Sequence, residues 1–241
     1  MGRPKRHAIG SARITDHDGG RGVNQSQKNV AMNQPRARFG DDRFLQIALV
    51  CYALFWVVLA IHPVDRSDWF LENLLVFATA SVLIPTYRKF QLSNLSYALI
   101  LLFLALHAIG AHYTYAKVPI GFWLRDFLHL QRNHFDRVIH FGFGFLLVYP
   151  MRELLRRSAG ARKTWAAWLA VAAIAALSSF FEILEGIIAQ IVRPDLGIAY
   201  LGTQGDIWDA QKDMTAAFAG AILATLLLLS AQLRGRNLTR A

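Results

Sequence analysis

Glu182 and Glu185 lie three apart in SSFFEILEGIIAQ, and Asp209 and Asp213 four apart in GTQGDIWDAQKDM, among residues apolar enough to be membrane helix. Asp136 and His140, again four apart, open a third such stretch. Residues at these spacings share a helix face, so each pair would project from one side of its helix. Carboxylates and imidazoles converging from facing helices are how bundles hold divalent metals. His107, His112, His140, Asp209 and Asp213 supply ligands suited to zinc or another divalent ion with water in an open position. Such a centre polarises a phosphoryl or carbonyl oxygen and supplies hydroxide near neutral pH. One of Glu182 and Glu185 would complete the ligand set and the other would serve as general base. The chemistry expected is metal-assisted hydrolysis or transfer on a lipid-linked or headgroup substrate.

Plainer roles compete residue by residue. Asp136 and Asp206 stand where helices begin, and capping the free N–H groups would account for both. Asp209 and Asp213 cannot both be caps. His107 and His112 are five apart and on different faces, so interfacial hydrogen bonds suit them as well as ligation does. Arg137 offers Glu182 and Glu185 a structural ion-pair partner. Trp69, Trp123 and Trp208 fit an aromatic belt at the membrane boundary. Ser178 and Ser179 would bond back to helix carbonyls. The small residues of GFG at 142–144 and AAFAG at 216–220 would let helices approach closely. Gly202, Gln204 and Gly205 form a tight loop and not a nucleotide loop, since no GxxxxGK[ST] occurs, and no nucleophile elbow is evident.

What must position these residues is a set of membrane helices. Hydrophobic residues make up 54% of the 241 and the mean hydropathy is +0.30, although the formal charge is +10. Apolar runs recur at close to the ~20 residues needed to cross ~30 Å of hydrocarbon. Six segments qualify, roughly 44–62, 69–87, 92–113, 136–152, 164–192 and 210–233. The fold class expected is all-α, a polytopic bundle of six transmembrane helices joined by short linkers. Nine Lys and Arg precede residue 44, and the 87–91, 152–163 and C-terminal segments are also basic, whereas 63–68 and 193–209 carry one Arg each; the longer 114–135 loop, with Lys117, Arg125 and Arg132, fits the pattern least. That asymmetry places both termini in the cytoplasm. The polar pairs of the third to sixth helices then fall at one depth, the outer third of the membrane, with Glu72 and Asn73 of the second helix beside them. The basic balance follows topology and anionic lipid at the cytoplasmic face, so nucleic acid is not the expected partner.

Residues 1–40, polar and basic, are expected to be a disordered tail, with Met32 as a second plausible start. Residues 41–233 would form the membrane domain and 234–241 a short basic cytoplasmic tail. The one cysteine, Cys51, lies in the first helix, so neither a disulfide nor a thiolate cluster is available.

HAIGAHYTY, FDRVIHFGFG, FFEILEG and GTQGDIWDAQKDM together resemble the YjdF-like family of bacterial inner-membrane proteins, from about residue 40 to 233. The last of these is the most specific. That family's activity is unassigned, so the resemblance implies architecture and an inner-membrane location without a reaction. The chain is also similar, more loosely, to VanZ-like membrane proteins, which carry Asp-Lys-x-x-His-Phe, Glu-x-x-Gln and Asp-x-x-x-Asn at three successive helices. The matching positions are Asp136, Arg137, His140 and Phe141, then Glu182 with Glu185, then Asp209 with Asp213. Glu for Gln and Asp for Asn make this version more acidic, which favours a cation. VanZ-like proteins are linked with glycopeptide tolerance at the cell envelope. Two further classes stay open: a proton- or cation-coupled transporter using Glu182 and Glu185, and a non-catalytic assembly protein with the acidic cluster as a clamp.

Overall fold

A computed structural model describes residues 39–238, with side chains to Leu233. The expected 1–40 tail lies outside the described residues except for its last two positions, as do the side chains of the expected 234–241 tail. Eight α-helices follow a short 3-10 turn at Phe39–Asp41, and no strand occurs among the described residues. They are α1 (Arg43–Leu59), α2 (Arg66–Tyr87), α3 (Asn94–His112), α4 (Pro119–Phe127), α5 (Phe135–Ser158), α6 (Lys163–Ile191), α7 (Pro194–Leu201) and α8 (Asp209–Leu238).

The sequence sets several of these boundaries by capping. Asp42 accepts from the Leu45 N–H at 3.0 Å, Asp65 from Ser67 and Asp68, and Ser93 from Ser96, each relieving donors that a first turn cannot satisfy. Pro119 and Pro194 occupy the first turns of α4 and α7, where a missing N–H costs nothing. Those two helices fall in segments expected to be loops; at 9 and 8 residues they are too short to show a span-like apolar run. α5 also runs to Ser158, beyond the expected end at 152, carrying Pro150 inside it.

Five helices, α2, α3, α5, α6 and α8, are long and apolar enough to cross a membrane. α1, at 17 residues, is apolar but shorter than these five. Their outward faces are oily, with Ile84 and Ile191 each more than 70% exposed, as lipid-facing residues would be.

α5 is the hub. It packs on α3, α6 and, most extensively, α8. A Cβ on Gly144 would collide with the Ala217 carbonyl, and one on Gly220 with the Phe141 carbonyl, so the α5–α8 backbones touch where these small residues meet. Gly142 has open space instead and plays no part in that contact. One core cluster, including Phe103, Val118, Phe135 and Ile139, lies near the start of α5, and another, including Val148, Val171 and Ile174, farther along it. α2 rests on α3 and α7 and makes no extended contact with α5 or α6.

Candidate acidic and histidine site

The loop before α8 turns sharply. Gly202, Gln204 and Gly205 all take positive φ, and the Asp206 N–H bonds to the Thr203 carbonyl at 2.9 Å. Glycine suits two of these three left-handed positions. The turn is pinned to the segment before α5, where Gln204 exchanges hydrogen bonds with the Asn133 backbone. Asn133 is itself buried, donating to the Val118 carbonyl and accepting from the Phe135 N–H. The starts of α5 and α8 are thereby locked side by side.

Between them lies an ion-pair lattice. Arg132 donates to Asp209 at 2.6 Å and to the Thr203 carbonyl at 2.6 Å. Arg137 donates to Asp209 and, at 3.1 Å, to Asp206. Its Nε also approaches Asp213 Oδ1 to 3.0 Å, without the alignment of a hydrogen bond. Lys212 completes the set on Asp206 at 2.7 Å. Three cations thus meet three carboxylates. The Lys212 hydrogen bond, with help from the Trp208 N–H and Arg137, holds the Asp206 carboxyl down at about 2. Burial first, then Arg132 and Arg137, lowers the His134 imidazole pKa, keeping it neutral at the rim.

Inward of this lattice the cations run out. Asp136, His140 and Asp213 bring one ligand atom each within 4.8 Å of one another, a group that could hold a metal ion. His140 Nε2 stands 3.5 Å from Asp136 Oδ1 and 3.5 Å from Glu182 Oε1, between two carboxylates. Glu182 Oε1 and Asp213 Oδ1 are buried without a hydrogen-bond partner. Glu185 lies within electrostatic reach of Glu182, Glu72, Asp136 and Asp213 and borders the same cavity as Glu72, His107 and His140. Tyr115 and Tyr200 border it too, and burial raises both phenol pKa values, so both remain neutral.

The expected metal set is rearranged by these contacts. His107 is buried, its Nδ1 paired with the Tyr115 hydroxyl at 2.5 Å and its Nε2 3.0 Å from the Glu72 carbonyl, so both nitrogens are engaged. His112 Nδ1 meets the Leu59 carbonyl at 2.7 Å, tying α3 to the end of α1 and away from the group. Asp209 Oδ1 accepts from both Arg132 and Arg137, which commits this carboxylate to the lattice. Asp136 enters the group in its place and caps nothing: the residue before α5 is His134, which makes no side-chain cap. Asp206 keeps a turn-forming role, accepting from the Trp208 N–H at 3.1 Å. Arg137 pairs with Asp206, Asp209 and Asp213, and not with Glu182 or Glu185. Ser179 bonds back to the Ala175 carbonyl at 3.0 Å, but Ser178 Oγ is buried without a partner. Arg132, counted in sequence only as a loop cation, proves central; its one signal was its place four residues ahead of Asp136.

Residues 44–234 match the family described as "Predicted membrane protein (DUF2238)". The chain is 33% identical over 185 residues to "Inner membrane protein YjdF" of Escherichia coli (strain K12), covering 76% of this chain and 88% of that protein. No solved structure matches the chain.

Proposed function

We propose that this chain, which belongs to the DUF2238 family of membrane proteins and is a multi-pass protein of the bacterial inner membrane, is a metal-dependent hydrolase or transferase acting on a lipid-linked or headgroup substrate. In this reading α1 is a sixth span, both termini are cytoplasmic, the basic loops meet anionic lipid at the inner face, and the acidic site faces outward.

The observation that carries the reading is the excess of carboxylate behind the balanced lattice. Asp136 and Glu182 flank one imidazole nitrogen, Glu182 Oε1 is buried without a hydrogen-bond partner, and among the described residues no Lys or Arg forms an ion pair with either carboxylate. Buried like charges with nothing to neutralise them are costly, and a divalent cation removes that cost. One imidazole with carboxylates is a donor set suited to zinc, manganese or iron. Ligands about 2.0–2.2 Å from a zinc ion are at most about 4.4 Å apart, so a group spread over 4.8 Å closes with small side-chain shifts.

Asp136, His140 and Asp213 would hold the ion, which when bound supplies Lewis-acid polarisation and an acidified water. Glu182, 3.5 Å from His140, accepts the proton from the attacking nucleophile. Glu185, one turn farther along the same face of α6, orients the polar end of the substrate from the cavity wall. Arg137 keeps Asp213 aimed inward, with Asp209 and Asp206 holding Arg137. The same positions carry the VanZ-like pattern, which supports reading them as one unit.

A proton- or cation-coupled carrier is the second reading. It is favoured by Asp68, fully buried with neither carboxylate oxygen bonded, and by its electrostatic coupling to Glu72 and onward to Glu185. Glu182→Gln and Asp213→Asn separate the readings. A folded variant that loses turnover of lipid-linked substrate supports the enzyme. One that loses only cation-driven uptake into proteoliposomes supports the carrier, and one that loses only complex assembly supports a clamp.

A further inference from the structure

A cavity of about 620 Å³ opens beside the acidic group. Its polar end is bordered by Glu72, His107, Asp136, His140 and Glu185. Its body is apolar, walled by Leu75 and Val82 of α2, Phe103 of α3, Phe143 and Leu147 of α5, and Leu177 of α6. It continues to Thr86 and Leu154. From Glu72 to Thr86 along α2 is roughly 21 Å at ~1.5 Å per residue, most of the ~30 Å hydrocarbon thickness.

α2 and α6 both wall this space yet make no extended contact with each other. Val82 is 60% exposed and Phe180 57%, so the rim between the two helices stands open. Both helices are membrane-length, and what lies against such an opening is lipid. Water entering an apolar slot would find few polar partners, and an empty slot forfeits dispersion contacts along its walls. A hydrocarbon chain avoids both costs. At about 30 Å³ for a water-sized group, the volume takes roughly twenty such groups, the scale of one long lipid chain.

The geometry points to a lateral lipid site: a bilayer lipid enters between α2 and α6, lays one hydrocarbon chain along the slot, and presents its headgroup to Glu72, Asp136, His140 and Glu185. This deepens the proposed function by naming how the substrate arrives, and it rests on that reading only for the chemistry at the polar end.

The test uses the full chain in vesicles of phosphatidylethanolamine and phosphatidylglycerol doped with phosphatidylethanolamine bearing a diazirine in its acyl chain, a lipid whose headgroup ammonium suits the carboxylates at the polar end. After irradiation, labelled positions are mapped by peptide mass spectrometry. Label should concentrate on Leu75, Phe143 and Leu147 over outward Ile47 and Ile84. Ala78→Trp and Leu177→Trp, from opposite walls, should lower slot labelling by roughly fivefold or more while outward labelling stays constant. Equal labelling of slot and outward positions in the wild type would overturn the site, whether or not either variant folds; unchanged slot labelling in a folded Trp variant would do the same. In Asp213→Asn the slot label should persist even if bound metal is lost. Slot labelling without metal in the wild type would therefore remove the enzyme reading and leave the lipid site standing.

Discussion

Removing Arg137 should damage the protein more than removing any surface cation, and the structure fixes how. Its side chain is 14% exposed and contacts Asp206, Asp209 and Asp213, the last with its side chain only 2% exposed. Arg132 and Lys212 still serve Asp209 and Asp206 in Arg137→Ala, but Asp213 has no other cation in contact among the described residues. Stranding one partner of a buried pair costs about 3–5 kcal/mol. For a domain of this size that corresponds to roughly 6–20 °C in unfolding temperature. Asp213→Asn removes the stranded charge, so Arg137→Ala/Asp213→Asn should recover part of the loss, a coupling of about 0.5–3 kcal/mol. Thermal unfolding of the four proteins in one detergent with chelator, so that no bound cation compensates Asp213, measures it. If Arg137→Ala stays within about 0.5 kcal/mol of wild type, or the two single losses simply add, the lattice as drawn is wrong.

Further expectations follow from other parts of the fold. Gly144→Ala should destabilise by about 1–3 kcal/mol, because its Cβ meets the Ala217 carbonyl, whereas Gly142→Ala, facing open space, should be neutral or stabilising; detergent unfolding curves compare them. The Asp206 carboxyl is held at about 2, below its ordinary 3.8, so its contribution is fully present above pH 4–5 and lost as pH falls through about 2. The stability gap between wild type and Asp206→Asn should therefore shrink between about pH 4 and pH 2 and stay flat near neutrality. For orientation, in a Cys51→Ala background, Ile207→Cys, at a position 86% exposed, should react with a membrane-impermeant maleimide in intact spheroplasts, and Ser158→Cys only after lysis. The reverse pattern would invert the topology.

Hydropathy made the long helices legible because a span needs a run of apolar residues that few other structures need. It located α2, α3, α5, α6 and α8 to within a few residues at most ends. It missed α4 and α7 because eight or nine residues after a proline look like any loop in a window suited to spans. The polar faces were legible through spacing, since Asp136 with His140 and Glu182 with Glu185 must each share a side of a helix. Which residues meet across helices was not. His112 looked as good a ligand as His140, and only the packing of α3 against α1 gives its ring the Leu59 carbonyl instead. Asp209 and Asp213 were indistinguishable in sequence; the arrival of Arg132 from a loop 77 residues away makes the first a structural anchor and leaves the second at the group.

If the carboxylate excess around His140 serves to hold a divalent ion, the purified protein carries that ion. Metal analysis of detergent-purified protein, at neutral pH and without chelator, measures that most directly. Wild-type protein should carry close to one divalent ion per chain, lost in folded Asp213→Asn and His140→Ala. Folded wild-type protein without stoichiometric metal would contradict it.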